Sequence, residues 1–82
     1  MTHPHPSVDL ELDCRDQRCP MPVIELGRRI ADVEVGGTVG VVTGDVAARV
    51  DVPAWCRMRG QEYVGEDEAS DGMPRFVVRR VS

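Results

Sequence analysis

Pro20 and Pro22 constrain where a helix can begin in this chain. Proline suits the first helical position, because its fixed φ matches the turn and its missing N–H has no intrahelical partner to lose. A second proline two residues on still lies among the opening residues whose amides are unpaired anyway. Val23, Ile24, Leu26, Ile30, Ala31 and Val33 follow at helical spacing. The first helix is therefore expected from Pro20 to about Asp32, with Gly27 as an interior weakness or a close-packing site. Cys19 then falls at the N-cap, beside Arg18. Serine, threonine, asparagine or aspartate would cap better, so a cysteine there points to chemistry. The helix dipole and Arg18 are expected to lower its pKa and expose a thiolate, the nucleophilic form.

The remaining pattern places five more elements. Val8 to Leu12 alternates apolar and acidic residues, as a half-buried strand does. Thr38 to Thr43 is β-branched and nearly continuous, which predicts a buried central strand. Asp45 is expected to cap a second helix whose apolar stripe is Ala47, Val50, Ala54 and Met58. Pro53 should kink or restart it, with Asp51 capping the restarted turn, and Gly60 should close it. Gln61 to Glu66 and Arg75 to Val81 read as the last two strands, joined by a charged turn from Asp67 to Gly72. Two helices and four strands in so short a chain share one core only as a two-layer sandwich. The expected fold is α/β, ordered β-α-β-α-β-β, with a four-stranded mixed sheet and both helices on one face. Val23, Ile30, Val39, Val41, Val50 and Val78 are expected in its core.

An 82-residue chain is one domain that buries only about 60–65% of its unfolded surface. Such a core has no room for a deep substrate cavity, so chemistry must occur at the surface. Residues 1–7 read as a disordered lead and 8–82 as the single domain. That lead has neither the basic segment nor the apolar core of a signal peptide, and no apolar run is long enough to span a bilayer. The net charge of −4 argues against direct nucleic-acid binding. All ten basic residues are arginine, to which no function attaches. Three cysteines without a secretion signal fit reduced thiols in the cytoplasm better than a disulfide framework.

No zinc site is expected, because Cys14, Cys19 and Cys56 lack paired ligand spacing and His3 and His5 lie in the lead. There is also no Cys-x-x-Cys pair. Cys14 reads as a small loop residue, although it remains open as a resolving thiol. Cys56, beside Trp55, reads as buried packing. No Ser/His/Asp set, paired-carboxylate site or phosphate-binding loop is present.

Leu12-Asp13, Arg18-Cys19-Pro20-Met21-Pro22, Gly44-Asp45, Asp51-Val52-Pro53-Ala54-Trp55-Cys56 and the closing Asp71-Gly72 with Phe76-Val77-Val78-Arg79-Arg80 together resemble the TusA (SirA-like) family of small sulfur carriers. The resemblance covers about residues 8–81. It implies a sulfurtransferase that carries sulfur as a transient persulfide on Cys19, with Arg18, Pro20, Met21 and Pro22 framing the thiol, and without a bound cofactor or metal. It also implies a donor such as a cysteine desulfurase or rhodanese-like protein, and an acceptor leading toward tRNA thiolation, sulfur oxidation or molybdenum-cofactor metabolism. Two positions depart from the family pattern. Met21 stands where many members have glutamate, which makes the lip beside the thiol apolar. Asp16 stands where glycine is usual, which raises the prospect of backbone strain. Two other classes stay open on the residues alone: a non-catalytic partner-binding or regulatory module of the same fold, and a thiol redox protein using Cys19 with Cys14. The fold also resembles the C-terminal domain of a translation initiation factor, an RNA-binding reading that the acidic balance opposes.

Overall fold

The computed structural model describes residues 8–82; the expected lead at 1–7, with His3 and His5, lies outside the described residues. Four strands, β1 (Leu10–Asp13), β2 (Thr38–Val42), β3 (Glu62–Glu68) and β4 (Pro74–Arg79), form one sheet in the order β1-β2-β4-β3. β1 runs parallel to β2, and β4 is antiparallel to both β2 and β3, so the sheet is mixed. Two helices, α1 (Met21–Arg29) and α2 (Ala48–Arg59), complete the order β-α-β-α-β-β, with a 3-10 turn at Ile30–Asp32 ending the first.

Register decides which strand residues meet the helices. Leu10 and Leu12 lie opposite Val39 and Val41, which lie opposite Val78 and Phe76. These residues share one hydrophobic cluster with Leu26, Ile30, Val33, Val52, Trp55 and Cys56, so both helices cover one sheet face. Of the expected core, Ile30, Val39, Val41 and Val78 are buried and Val23 packs partly against the cluster. Val50 does not: it is 70% exposed. Helix α2 turns Ala48, Val52, Trp55 and Cys56 inward instead of Ala47, Val50, Ala54 and Met58. Both stripes have helical spacing, but only the first brings in Trp55, and a buried aromatic contributes far more apolar area than an alanine or valine.

Local boundaries differ from expectation in three further places. Pro53 sits inside α2 without interrupting it, so Asp51 belongs to the first turn of one continuous helix and does not cap a restarted one. β3 extends two residues beyond its expected end, because Asp67 and Glu68 pair with Arg75 and Pro74. Asp16 carries no strain, since every positive φ among the described residues belongs to glycine.

The sheet face away from the helices is organised by Arg75, which is 6% exposed. Its guanidinium makes two bonds to Asp67 on the adjoining strand, at 2.8 and 2.7 Å, and reaches Glu11 on β1 at 3.1 Å. Spanning from β4 to β1 requires its stem to lie over β2, where Gly40 leaves the space: a Cβ there would come within 2.7 Å of Arg75 Cδ. Gly27 is the opposite case. A Cβ on it would meet Trp55 at 3.7 Å, an ordinary contact. The same substitution should therefore act with opposite sign at the two sites. In urea unfolding, Gly27→Ala should stabilise by up to about 1 kcal/mol. Gly40→Ala should destabilise by about 1–3 kcal/mol, with a smaller cost in an Arg75→Ala background.

Candidate functional site

The loop from Cys14 to Pro20 and the loop from Thr43 to Ala47 converge where β1 and β2 hand over to their helices. Parallel pairing of β1 and β2 makes this unavoidable, because it puts the carboxyl ends of both strands at the same sheet edge. Thr43, fully buried, ties the loops together: its Oγ1 accepts the Asp45 N–H at 3.1 Å and donates to the Gln17 carbonyl at 3.4 Å. Arg15 pins the same region to the β3–β4 turn through paired bonds to Asp71 at 2.9 and 3.1 Å. That guanidinium holds the Asp71 carboxyl down at about 2.

Cys19 is exposed at this junction. It stands one residue before the position expected for it: Pro20 is the N-cap of α1, and Pro22 is buried at the second helical position. The Cys19–Pro20 peptide is cis. Asp45, expected as the cap of α2, instead opens the turn leading into it. Its Oδ1 accepts the Ala47 N–H at 3.0 Å, while Ala47 occupies the N-cap. Its Oδ2 accepts the Cys19 N–H at 2.7 Å. One carboxylate thus joins the entry of α2 to the residue that precedes α1. These two bonds hold its pKa below the ordinary aspartate value, with Arg18 adding a smaller effect.

The thiol itself faces α2. Cys19, Pro20, Pro22, Val23, Asp45, Ala48 and Asp51 line one shallow depression. Asp51, which lines the depression with the thiol, favours its protonated form and is the main reason that the Cys19 pKa is raised; desolvation and the charges of Asp51 and Asp45 add to it. The expected lowering by the helix terminus and Arg18 is therefore overturned. Two physical reasons stand behind the reversal. A helix terminus acts through its unpaired N–H groups, and α1 has few: Pro22 has none, and the Met21 and Ile24 N–H groups are taken by the Arg18 and Pro20 carbonyls at 2.8 and 3.1 Å. Arg18, for its part, bears on Asp45 and not on the sulfur.

Asp51 is the residue that sequence reasoning missed. Read as a cap for a helix restarted at Pro53, it had no reason to be placed beside Cys19, 32 residues earlier in the chain. Met21, expected as an apolar lip, is 39% exposed at the first position of α1 but is not among the residues that line the depression. On the other side, Arg15, Asp16, Gln17, Arg18, Gly44, Asp45 and Val46 line an open groove of about 640 Å³. Cys14 and Cys56 are both buried. Cys14 donates its N–H to the Val42 carbonyl at 2.8 Å and is fully enclosed, so it offers no accessible second thiol for redox pairing. Burial raises its pKa and pushes that of Cys56 up to about 11. Among the described residues, no group of three or more His, Cys, Asp or Glu is placed to hold a metal ion, and no helix is long and apolar enough to cross a membrane.

Three comparisons bear on this arrangement. Residues 10–80 match the family model described as Sulfurtransferase TusA. A sulfur carrier protein TusA of Pseudomonas syringae pv. syringae is 36% identical over 76 residues, covering 93% of this chain and 89% of that protein. The sulfur carrier protein TusA of Pseudomonas aeruginosa is 38% identical over 68 residues, covering 83% of this chain and 82% of its own. The crystal structure of a SirA-like protein from Desulfitobacterium hafniense superposes with a TM-score of 0.73 at 23% identity, over 89% of this chain and 99% of that one. This last likeness bears out the fold.

Native alkylation followed by peptide mapping should label Cys19 first and leave Cys14 and Cys56 unmodified until the protein unfolds. The pH midpoint for Cys19 should lie above that of a cysteine in an unstructured peptide, because the carboxylate beside it favours the neutral thiol. The buried thiols carry a separate signature. A thiol whose folded pKa exceeds its unfolded value stabilises the fold fully below the unfolded value and loses that contribution as pH rises through the folded one. For Cys56, thermal stability should fall between about pH 9 and 11, and Cys56→Ala should flatten that fall.

Proposed function

The chain belongs to the TusA family of sulfur-transfer proteins, and from that premise we propose that Cys19 accepts sulfur from a donor protein and relays it to an acceptor as a persulfide. The observation that carries this reading is that Cys19, of the three cysteines, is the exposed one, on the rim where two helix entries meet. A donor such as a cysteine desulfurase or rhodanese-like protein presents its own persulfide. Cys19 Sγ attacks the outer sulfur, a new S–S bond forms, and the donor cysteine departs as a thiolate. An acceptor thiolate later attacks that outer sulfur and Cys19 departs in turn. Both steps have the form of thiol–disulfide exchange. In this sense the protein is a sulfurtransferase acting with partner enzymes in the cytoplasm, its product feeding pathways such as tRNA thiolation or sulfur and molybdenum-cofactor metabolism.

The raised pKa shapes both halves of the relay. A less acidic thiol is the stronger nucleophile once its proton leaves, but the poorer leaving group. Cys19 thus holds its cargo against stray thiols and releases it where an acceptor site supplies a proton. The shallow rim suits a carrier that must enter two partners in turn, and it offers no enclosed pocket for a soluble substrate.

Incubation with a cysteine desulfurase and cysteine, read by intact mass, should add one sulfur to the wild type. Cys14→Ser and Cys56→Ser should still load, whereas Cys19→Ser should not, with its fold retained. Loss of two hydrogens in place of sulfur gain would make this a redox protein, and no change would leave a binding module. Met21 should favour an apolar pocket on the partner. Met21→Glu should therefore redistribute transfer rates among donors while the thiol titration moves little, because an exposed charge acts through solvent of high dielectric constant. Equal rates with every donor in both variants would remove that role.

A further inference from the structure

We propose that Asp51 handles the proton in sulfur loading: its carboxylate receives the Cys19 S–H proton as Sγ attacks the donor's outer sulfur, and passes it to the departing donor thiolate. The inference rests on the carrier reading above. The balance is a Cys19 thiol plus a donor persulfide giving a Cys19 persulfide plus a donor thiol. One S–S bond forms, one breaks, one proton moves between sulfurs, and no external oxidant or reductant is needed.

The geometry selects Asp51 from the groups around the sulfur. It stands in the first turn of α2 and lines the same depression as Cys19. The other carboxylate there, Asp45, has one oxygen on the Ala47 N–H and the other on the Cys19 N–H, so both are engaged by backbone donors. The loop before α1 contributes Arg18, whose charge bears on Asp45, and α1 with its cap presents only Pro20, Pro22 and Val23 to the depression. Ala48 completes the lining. Of the two carboxylates lining the depression, Asp51 is the one that no backbone N–H engages. A carboxylate in this position also disfavours a free thiolate, so the proton leaves Cys19 only as the new S–S bond forms, not beforehand. This is why the pKa of the resting thiol lies above the ordinary cysteine value and not below it.

Two readouts on Asp51→Asn test the proposal with a small-molecule persulfide, cysteine persulfide, as donor. The pH midpoint of Cys19 alkylation should move down, because the group that stabilises the neutral thiol is gone. The rate of sulfur loading at pH 7, followed by intact mass, should nevertheless fall about a hundredfold or more, the low end of what a positioned acid–base group contributes. A more available thiolate that loads more slowly is not produced by loss of structure alone. Loading that is unchanged or faster, with the midpoint lowered, would show that the carboxylate merely restrains the thiol and would overturn the role. A midpoint that does not move would show that Asp51 does not act on the sulfur, and the role would fall on that result too. A wild type whose Cys19 alkylates but takes no sulfur would overturn the carrier reading and this role with it. If Asp51→Asn melts below the assay temperature, Asp51→Ser is read by the same two measurements.

Discussion

The Asp45 carboxylate is the joint on which the site depends. It accepts the Ala47 N–H with one oxygen and the Cys19 N–H with the other. Two loops that the parallel β1–β2 pairing merely brings near each other are thereby set in one register. Thr43 reinforces that register from within the core, holding the Asp45 amide and the Gln17 carbonyl on a single buried hydroxyl. The consequence reaches the chemistry: with its amide fixed, Cys19 is held beside the first turn of α2, where it shares one depression with Ala48 and Asp51.

A thiol at the head of a helix is usually expected to be acidic. Here the helix start has fewer free N–H groups than usual to make it so. The field of a helix terminus is carried by unpaired N–H groups; Pro22 supplies none, and the Met21 amide is spent on the Arg18 carbonyl. What remains near the sulfur is negative. The thiol is shielded from charge and not activated by it, and its reactivity depends on a neighbour that can move a proton.

The opposite face of the sheet shows how a chain of net charge −4 keeps its acidic residues useful. Glu11 and Asp67, on the two edge strands, are both drawn to Arg75 in the interior. This works because Gly40 leaves β2 flat enough for the arginine stem to cross. The face is thus closed by one long side chain in place of a second helical layer, which leaves the helix side as the location of the thiol.

Much of this was legible in the chain because it is encoded over short range. Pro20 and Pro22 mark the start of α1, the alternation near Leu10 and Leu12 marks β1, and the β-branched run at Thr38–Val42 marks the central strand. The exposed Cys19 and the buried Cys56 follow from the same local patterns. The family pattern added what spacing could not, the sulfur chemistry expected of that thiol. What tertiary structure decided is everything that turns on comparing distant segments. Two stripes of α2 were equally helical, and burial of Trp55 chose Val52 over Val50. The direction of the Cys19 pKa shift was decided by Asp51, a residue 32 positions away that shares the depression with it because β1 and β2 run parallel and hand both helices to one end of the sheet. Periodicity records which residues share a face of their own element; it holds no information about which side chain of another element that face will meet.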